Sequence, residues 1–572
     1  MILPALVKRY EEIATPPGWQ NREVSYGIDI DENGQLLDII PLETEEIINK
    51  KKVMKKRVCL LPLAFVRSSN ANVVVNFLWD SGEYLLGLKP IKFETATTFY
   101  TNLLGSIDTP QAKAICAYFN NGIPHLTDSM LDKMKKPKPE AANFIFIFKG
   151  EHINYSNEPI RNAWDAHNTE TNNADELVMC SVTGQLDIPQ YAHNQIRIRG
   201  QGNAGPLIGA NAESFTSYGK TAKDRAADIG KNAAFAYFSA LEGLIKNPDH
   251  YKYLGSDTML YWAEGGSNEC EREFSKAIDP SIDDELDELD TPIEFDDEQD
   301  LNETMTRISQ LRGVDDIDFS RKFHVLCLSP NAARVSVRFY LADSFGNFIQ
   351  RIREHYQYME IVSDGRTKSK RFPIWVILSE TTIKKSASDA HPLLAGQMMR
   401  QILQGQPYPL TLYNAILGRI RAGDNINQCK AAIIKAILIK NYDAKEVTTV
   451  ALNQESTNQA YVLGRLFAVL ESLQNRANQG ATIRERYFAS ASTNPGSVFP
   501  TLLKLSFHHM AKLDSAVFYE KLIGDLLGCV KDDKPFPAAL NLENQGKFIL
   551  GYYHQRQDLF KSKKGKEEGN NE

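Results

Sequence analysis

The chain of 572 residues is 42% apolar and 24% charged, the globular average, which excludes whole-chain disorder and calls for about three or four domains at roughly 150 residues each. Its net charge of −7 comes from one segment: residues 279–300 carry twelve acids and no Lys or Arg, and without them the balance is +5, so a nucleic-acid partner stays open while the acidic run itself reads as a solvated insert. No uncharged apolar run approaches the roughly 18–20 residues that cross a bilayer, and Lys8 and Arg9 follow the apolar start instead of preceding it, opposite to a signal peptide; a soluble, cytoplasmic protein without membrane contact is expected.

Ile2, Leu3, Leu6, Val7, Tyr10 and Ile13 recur at helical spacing and predict an opening amphipathic helix, stopped by Pro16-Pro17-Gly18. Residues 26–30 and 36–39 flank Asn33-Gly34, the signature of a β-hairpin with a type I′ turn. Further strands are predicted at 58–63, 144–148, 176–182, 195–199, 259–263, 323–328, 334–341 and 374–378, with helices between them. Their irregular spacing favours an α+β N-terminal region of mixed or antiparallel sheets over a doubly wound one. Beyond residue 389 the stretches 393–403, 412–420, 429–439, 461–477, 501–513, 518–530 and 543–560 all read as helices, an all-α helical bundle. Within 461–477, Val462, Leu463, Leu466, Phe467, Leu470 and Leu473 keep i, i+3/i+4 spacing and are expected to face one core. The expected organisation is 1–265 α+β, 266–318 acidic insert or linker, 319–388 α+β continuation, 389–560 helical bundle, with 448–560 able to fold alone, and a frayed polar tail at 561–572.

The seven cysteines (Cys59, Cys116, Cys180, Cys270, Cys327, Cys429 and Cys529) are odd in number and more than 50 residues apart. That spacing gives neither a zinc knuckle nor a disulfide framework and reads as small core residues in a reducing compartment. His508-His509 is the one close histidine pair; neighbours on a helix point about 100° apart, so one should pack and the other lie exposed. No nucleophile elbow or Asp-rich metal signature is present, and no catalytic residue, metal or cofactor is expected.

Gly200-Gln-Gly202-Asn-Ala-Gly205 matches G-x-G-x-x-G, but Pro206, Gly209 and Asn211 stand where a dinucleotide site needs a helix. Gly219-Lys220-Thr221 ends like a P-loop, with Ser214 where the first glycine belongs. What this region offers is a Gly/Asn/Ser-rich loop bringing Arg197, Arg199, Ser214, Ser217, Tyr218, Lys220 and Lys223 together. Backbone N–H groups and cations suit a phosphate backbone better than a small-molecule pocket, though a solvated loop has the same composition. A second polar stretch, Arg67-Ser68-Ser69-Asn70-Ala71-Asn72, precedes Phe77-Leu78-Trp79-Asp80; Asn and Ser can donate and accept at base edges while Arg anchors phosphate. Local basic clusters are Lys50, Lys51, Lys52, Lys55, Lys56 and Arg57, then Lys133 to Lys138, and Arg366 to Arg371.

Taken in order, these pieces resemble the large subunit of the type I-C CRISPR Cascade surveillance complex. The carriers run nearly end to end: Pro16-Pro-Gly-Trp19, Arg67-Ser-Ser69 followed by Asn76-Phe-Leu-Trp-Asp80, Val182-Thr-Gly184, Ser214-Phe-Thr-Ser-Tyr-Gly-Lys220, Tyr261-Trp-Ala-Glu264, Leu328-Ser-Pro-Asn-Ala-Ala-Arg334, Ile402-Leu-Gln-Gly-Gln-Pro-Tyr-Pro409, Tyr461-Val-Leu-Gly-Arg-Leu-Phe467 and Gly551-Tyr-Tyr-His-Gln-Arg-Gln557. The resemblance implies a non-catalytic subunit of a guide-RNA complex, joined to backbone and RNA-end-binding subunits. Such a subunit captures double-stranded target DNA, after which a helicase–nuclease is recruited to cut. It implies motif reading by Arg67, Ser68, Ser69, Asn70 and Asn72, a grip on flanking duplex phosphate by Lys50 to Arg57, and backbone contact by Ser217, Lys220 and Lys223. Arg465, Arg476, Arg484 and Arg486 would then lie along the displaced strand, and 448–560 would match a separate small subunit. Two readings from other classes stay beside it: a phosphate-handling, nucleotide-binding enzyme built on the Gly200–Lys220 region, and a scaffold that never touches DNA.

Overall fold

Phe-Ile-Phe-Ile-Phe at 144–148 is buried at every position, as an apolar run with no polar face requires. The computed structural model describes residues 1–12, 16, 18–48, 51–64, 73–135, 137–170, 177–209, 214, 227–265, 268–278, 317–332, 334–364, 371–478, 483–530 and 533–568, with the side chains of 44–48, 51–55, 168–170, 388 and 561–568 outside that description. Two units form: Met1–Arg197 with Gly202–Lys246, and Ile198–Gln201 with Asn247–Glu572.

In the first unit the strands are β1 (Trp19–Val24), β2 (Tyr26–Ile30), β3 (Leu36–Pro41), β4 (Glu43–Ile48), β5 (Lys51–Pro62), β6 (Trp79–Asp80), β7 (Phe144–Phe148) and β8 (Glu151–His152), followed by the short pairs β9 (Val178–Met179) with β10 (Leu186–Asp187) and β11 (Gln195–Ile196) with β12 (Gly205–Pro206). Its helices are α1 (Ile2–Glu12), α2 (Gly82–Leu85), α3 (Pro90–Leu104), α4 (Pro110–Asn120), α5 (Asp128–Lys133), α6 (Glu158–Glu170) and α7 (Lys231–Lys246). The main sheet runs β3-β2-β7-β6, with β8 also on β7; β2 and β7 are parallel and the other pairs antiparallel. Helices cover β7 with an aromatic core in which Phe77 stacks on Trp164 at 4.9 Å and Tyr100 on Phe119 at 4.6 Å. β5 is shared by two ladders, its first half pairing with β4 and its second with β1.

The second unit opens with an antiparallel meander of β13 (Tyr251–Leu254), β14 (Asp257–Ala263), β15 (Lys322–Asn331) and β16 (Arg334–Ser344). Tyr261, Phe323 and Phe339 from this sheet share a core with α8 (Asn268–Ile278) and α9 (Phe345–Met359). That core continues into α10 (Ile374–Ser379), α11 (Leu394–Gln404), α12 (Leu410–Arg421), α13 (Gln428–Tyr442), α14 (Gln459–Ala477), α15 (Ile483–Thr493), α16 (Pro495–Met510), α17 (Val517–Gly528) and α18 (Leu542–Glu568). The mixed-sheet N-terminal part and the helical C-terminal half are as the periodicities predict. Bonds also cross residue 448: Tyr413 donates to the Leu542 carbonyl at 2.7 Å and Lys547 pairs with Glu446 at 2.9 Å. No described helix is long and apolar enough to cross a membrane.

Four local readings differ. The 374–378 run is helix α10, not a strand: Pro373, at φ −56°, precedes its first turn, and a short apolar run carries no period of its own. The 26–41 hairpin forms, but without a type I′ turn, because Asn33 keeps a negative φ and only Gly34 is left-handed, at +71°. The Asp31 carboxylate instead gathers the loop, accepting from the Asn33 N–H at 2.9 Å and the Gln35 N–H at 2.7 Å. Only two residues each of the predicted 176–182 and 195–199 strands pair, and residue 176 lies outside the described residues. Gly205 begins β12 and no helix follows it among the described residues, so the G-x-G-x-x-G match lacks the dinucleotide-binding context. The cysteines are free, five buried and two half-buried, and His508 is exposed while His509 is half-buried, as expected.

α14 departs furthest from its expected single apolar face: every residue from Ala460 to Glu471 is buried, so the helix is enclosed on all sides. α18 crosses it with the backbones touching. A Cβ at Gly464 would collide with the Phe548 carbonyl, and one at Gly551 with the Tyr461 carbonyl. Gly464→Ala and Gly551→Ala should each cost about 2 kcal/mol or more, as overpacking against rigid backbone does, read as a lower urea midpoint. Gly524→Ala in α17, where a Cβ meets open space, should be neutral or stabilising by up to about 1 kcal/mol.

Buried histidines repeatedly bond tyrosine hydroxyls: His193 with Tyr237 at 2.8 Å, His355 with Tyr408 at 2.6 Å and His554 with Tyr461 at 2.8 Å. Burial disfavours the imidazolium and pushes His355 and His554 down to about 3 and His193 to about 4. The unfolded chain takes up these protons near 6.5 while the folded chain resists, so stability is complete above that pH and falls as pH drops towards 4. Urea midpoints between pH 7 and pH 4 should decline steadily, and His355→Gln with His554→Gln should flatten the decline; an equally steep curve in the double variant would contradict this assignment.

Candidate nucleic-acid interface

Residues 65–72, which include Arg67, Ser68, Ser69, Asn70 and Asn72, lie outside the described residues; the two stems that carry them do not. The outgoing stem is the end of β5. Its Pro62 carbonyl accepts from the Trp79 indole N–H at 2.9 Å and the Gln20 amide at 3.3 Å. The returning stem is fixed by Asp80, whose carboxylate accepts from the Asn76 N–H at 3.0 Å and the Ser81 N–H at 2.8 Å. Between them Leu78 is fully buried in the left-handed region at φ +64°, its N–H donating to the Tyr100 hydroxyl at 2.8 Å. Such a conformation costs a branched residue about 1–2 kcal/mol and persists only where its surroundings over-determine it. Trp79 therefore ties the residues that precede this segment to those that follow it.

Earlier in the same strand, β4 and β5 form a two-stranded ribbon with Glu43 opposite Lys56, Thr44 opposite Lys55, Glu45 opposite Met54, Glu46 opposite Val53, Ile47 opposite Lys52 and Ile48 opposite Lys51, so the four lysines of β5 run beside three glutamates of β4. A ribbon of this kind fits a major groove or follows a phosphate track. Lys56 and Arg57 are exposed; Lys51, Lys52 and Lys55 sit in the strand with undescribed side chains, and Lys50 lies outside the described residues. Ser217, Lys220 and Lys223 also fall outside the described residues.

The four bundle arginines divide. Arg476, in the last turn of α14, and Arg486 are exposed. Arg465 is 5% exposed, and its guanidinium donates to Gln555 Oε1 at 3.1 Å and to the carbonyls of Asn453 and Gln454 at 3.2 Å each. Its burial takes it out of any surface set, a correction the helical spacing could not supply because α14 has no solvent face at that level. Arg484 is half-buried and donates to Asn425 Oδ1 at 2.6 Å and the Asp424 carbonyl at 2.7 Å.

The turn that Arg484 holds is itself locked by charge. Asp424 pairs with Lys385 at 2.8 Å and Lys430 at 3.5 Å and accepts from Arg419 Nε at 3.2 Å; Glu380 pairs with Lys385 at 2.9 Å and with the buried Lys430. Burial alone would raise the Asp424 carboxyl, but hydrogen bonds from Arg419 and Lys385 and the nearby ammonium charges pull it down to about 2. Through these two bonds Arg484 joins α15 to the α12–α13 turn that the network braces.

Arg22 went unread in the sequence. It lies in β1 opposite Cys59 of β5 and places its guanidinium 4.5 Å from the centre of the Trp79 ring, beside the loop stems. Only the pairing of β1 with β5 joins it to Trp79, and no spacing in the sequence signals that.

The model of the family described as CRISPR-associated protein (Cas_Csd1) matches residues 5–560. No curated protein matches the chain. With the match running over nearly the whole length, the chain belongs to the Cas_Csd1 family, the large-subunit family of the type I-C Cascade complex.

Proposed function

We propose that this CRISPR-associated chain is the non-catalytic subunit that captures target DNA in its RNA-guided complex. Base pairing with the guide reads the target, while protein reads a short adjacent motif and holds the opened duplex, a division of labour known for another RNA-guided effector. The observation that carries the reading is the framing of 65–72: a polar segment whose flanking residues are fixed by Trp79 and Asp80 follows β5, whose first half brings Lys51, Lys52, Lys55 and Lys56 into the ribbon with β4.

In this reading Arg67, Ser68, Ser69, Asn70 and Asn72 meet the motif, and Lys50 to Arg57 grip flanking phosphate. Ser217, Lys220 and Lys223 touch backbone, and Arg476 and Arg486 follow the displaced strand. Arg465 leaves that last group because its guanidinium is buried and bonded within the bundle; Arg484, half-buried at the bundle surface, is set aside because its guanidinium already bonds Asn425 and the Asp424 carbonyl. The partners are the guide-RNA complex with its backbone and RNA-end-binding subunits, target duplex, a small subunit similar to 448–560, and a helicase–nuclease that arrives after capture.

Asn70→Ala with Asn72→Ala should weaken capture of motif-bearing target by tenfold or more, since reading one base edge is worth about 1–3 kcal/mol, while the complex still assembles. Variants that bind target normally, or that fail only in assembly, would show the loop to be structural. Arg476→Glu with Arg486→Glu should lower the slope of log affinity against log salt by about 1–2, since each phosphate neutralised contributes roughly 0.7–0.9; an unchanged slope in a titration of the complex with target would remove these residues from the strand path.

A further inference from the structure

The Arg22 guanidinium has a support but no hydrogen-bond partner. It is half-buried and lies over the Trp79 ring at 4.5 Å, and among the described residues no acceptor bonds it and no carboxylate pairs with it. The ring beneath it is a fixed platform, because Trp79 is buried and its indole N–H is held by the Pro62 carbonyl. A guanidinium resting on an aromatic face keeps its N–H edge for a planar pair of acceptors. Polar groups withdrawn from water are nearly always hydrogen-bonded, so a half-buried fork of donors without an acceptor calls for one from outside the chain.

The strand register places this fork. Arg22 stands directly opposite Cys59, so the two side chains project from the same face of the β1–β5 ladder. Arg57, two positions earlier in β5, shares that face by strand alternation, and its side chain reaches the Cys59 thiol. From the basic half of β5 towards Pro62 the face therefore carries first the exposed Arg57 and then Arg22.

The charges around Arg22 select the kind of acceptor. Burial lowers its pKa, and the nearby carboxylates of Glu242, Glu23 and Asp80 oppose that shift. Glu242 is shared with Lys246 at 3.0 Å, and the Asp80 carboxylate accepts from the Asn76 and Ser81 N–H groups. A phosphate entering here would meet three carboxylates around one guanidinium, whereas a neutral base edge is attracted without that repulsion. Guanine offers O6 and N7 side by side in the major groove, the acceptor pair that an arginine fork spans.

We propose that Arg22, supported by Trp79, contacts a guanine O6/N7 edge in the duplex beside the target and so fixes one position of the adjacent motif. It rests on the reading of this chain as the subunit that captures target DNA, and it adds a base contact outside the 65–72 segment.

The test is binding of the assembled guide-RNA complex to duplex targets in which each position of the adjacent motif is changed in turn. The wild-type complex should prefer guanine, on one particular strand, at one position by about tenfold. Arg22→Ala should erase that preference while the other positions keep theirs and the salt slope stays the same, and Arg22→Lys, which keeps a cation on the ring, should restore part of it. Replacing that guanine with 7-deazaguanine, which lacks the N7 acceptor, should weaken wild-type binding several-fold and leave Arg22→Ala unaffected. A loss in Arg22→Ala that is equal for every motif, with the salt slope lower by about 1, would make Arg22 a phosphate contact and overturn the base assignment. Discrimination unchanged at every position in Arg22→Ala overturns the proposal while the DNA-capture reading stands. A wild-type complex that binds all motifs alike overturns both.

Discussion

The second unit is organised around a place where two helix backbones touch. α14 and α18 cross at Gly464 and Gly551, and at each position the space a side chain needs is filled by the other helix's main chain. Close approach of this kind gives dense packing and encloses α14, so its polar groups must be satisfied internally. They are: Arg465 bonds Gln555 and two carbonyls, Glu471 accepts from the Tyr552 hydroxyl at 2.6 Å, and the Tyr461 hydroxyl bonds His554. The conformational freedom of glycine matters less here than its missing Cβ.

That constraint decides which charges remain for function. The crossing draws Arg465 inside, and Arg484 bonds the α12–α13 turn, which the half-buried network of Glu380, Lys385, Asp424 and Lys430 braces. Arg476 and Arg486 stay at the surface. In the first unit the division is similar. Trp79 is buried with its indole N–H on Pro62, and its ring carries Arg22, while Lys56 and Arg57 stay exposed along β5. A protein that grips a polyanion needs its cations outside and its frame rigid, and both units meet those conditions within the described residues.

Much of this was legible in the sequence because hydrophobic period reports burial. Three of the four meander strands, the opening helix and most of the bundle helices carry that signal, while the short β13 and α15 were not anticipated; the polar 65–72 stretch stood out between two apolar ones. What escaped had no local signature. The 374–378 run reads as strand or helix with equal ease, and its outcome was set by Pro373 and the helices packed on it. Arg465 looked like any helix-surface arginine, since a helix buried on every side is identified only by its neighbours. Arg22 on Trp79 depends on a strand pairing that joins distant segments. The Asn33-Gly34 hairpin formed around an Asp31 side chain that offered its loop a better set of hydrogen bonds.

The central claim is that the chain itself meets target DNA at two places, a motif-reading loop and a strand path on the bundle. Site-specific photo-crosslinking in the assembled complex tests it most directly, with reactive bases placed in the adjacent motif or in the displaced strand of the target. The account predicts that motif bases attach to peptides containing 65–72 and displaced-strand bases to peptides bearing Arg476 and Arg486. Crosslinks confined to the other subunits, with none on this chain, would contradict it.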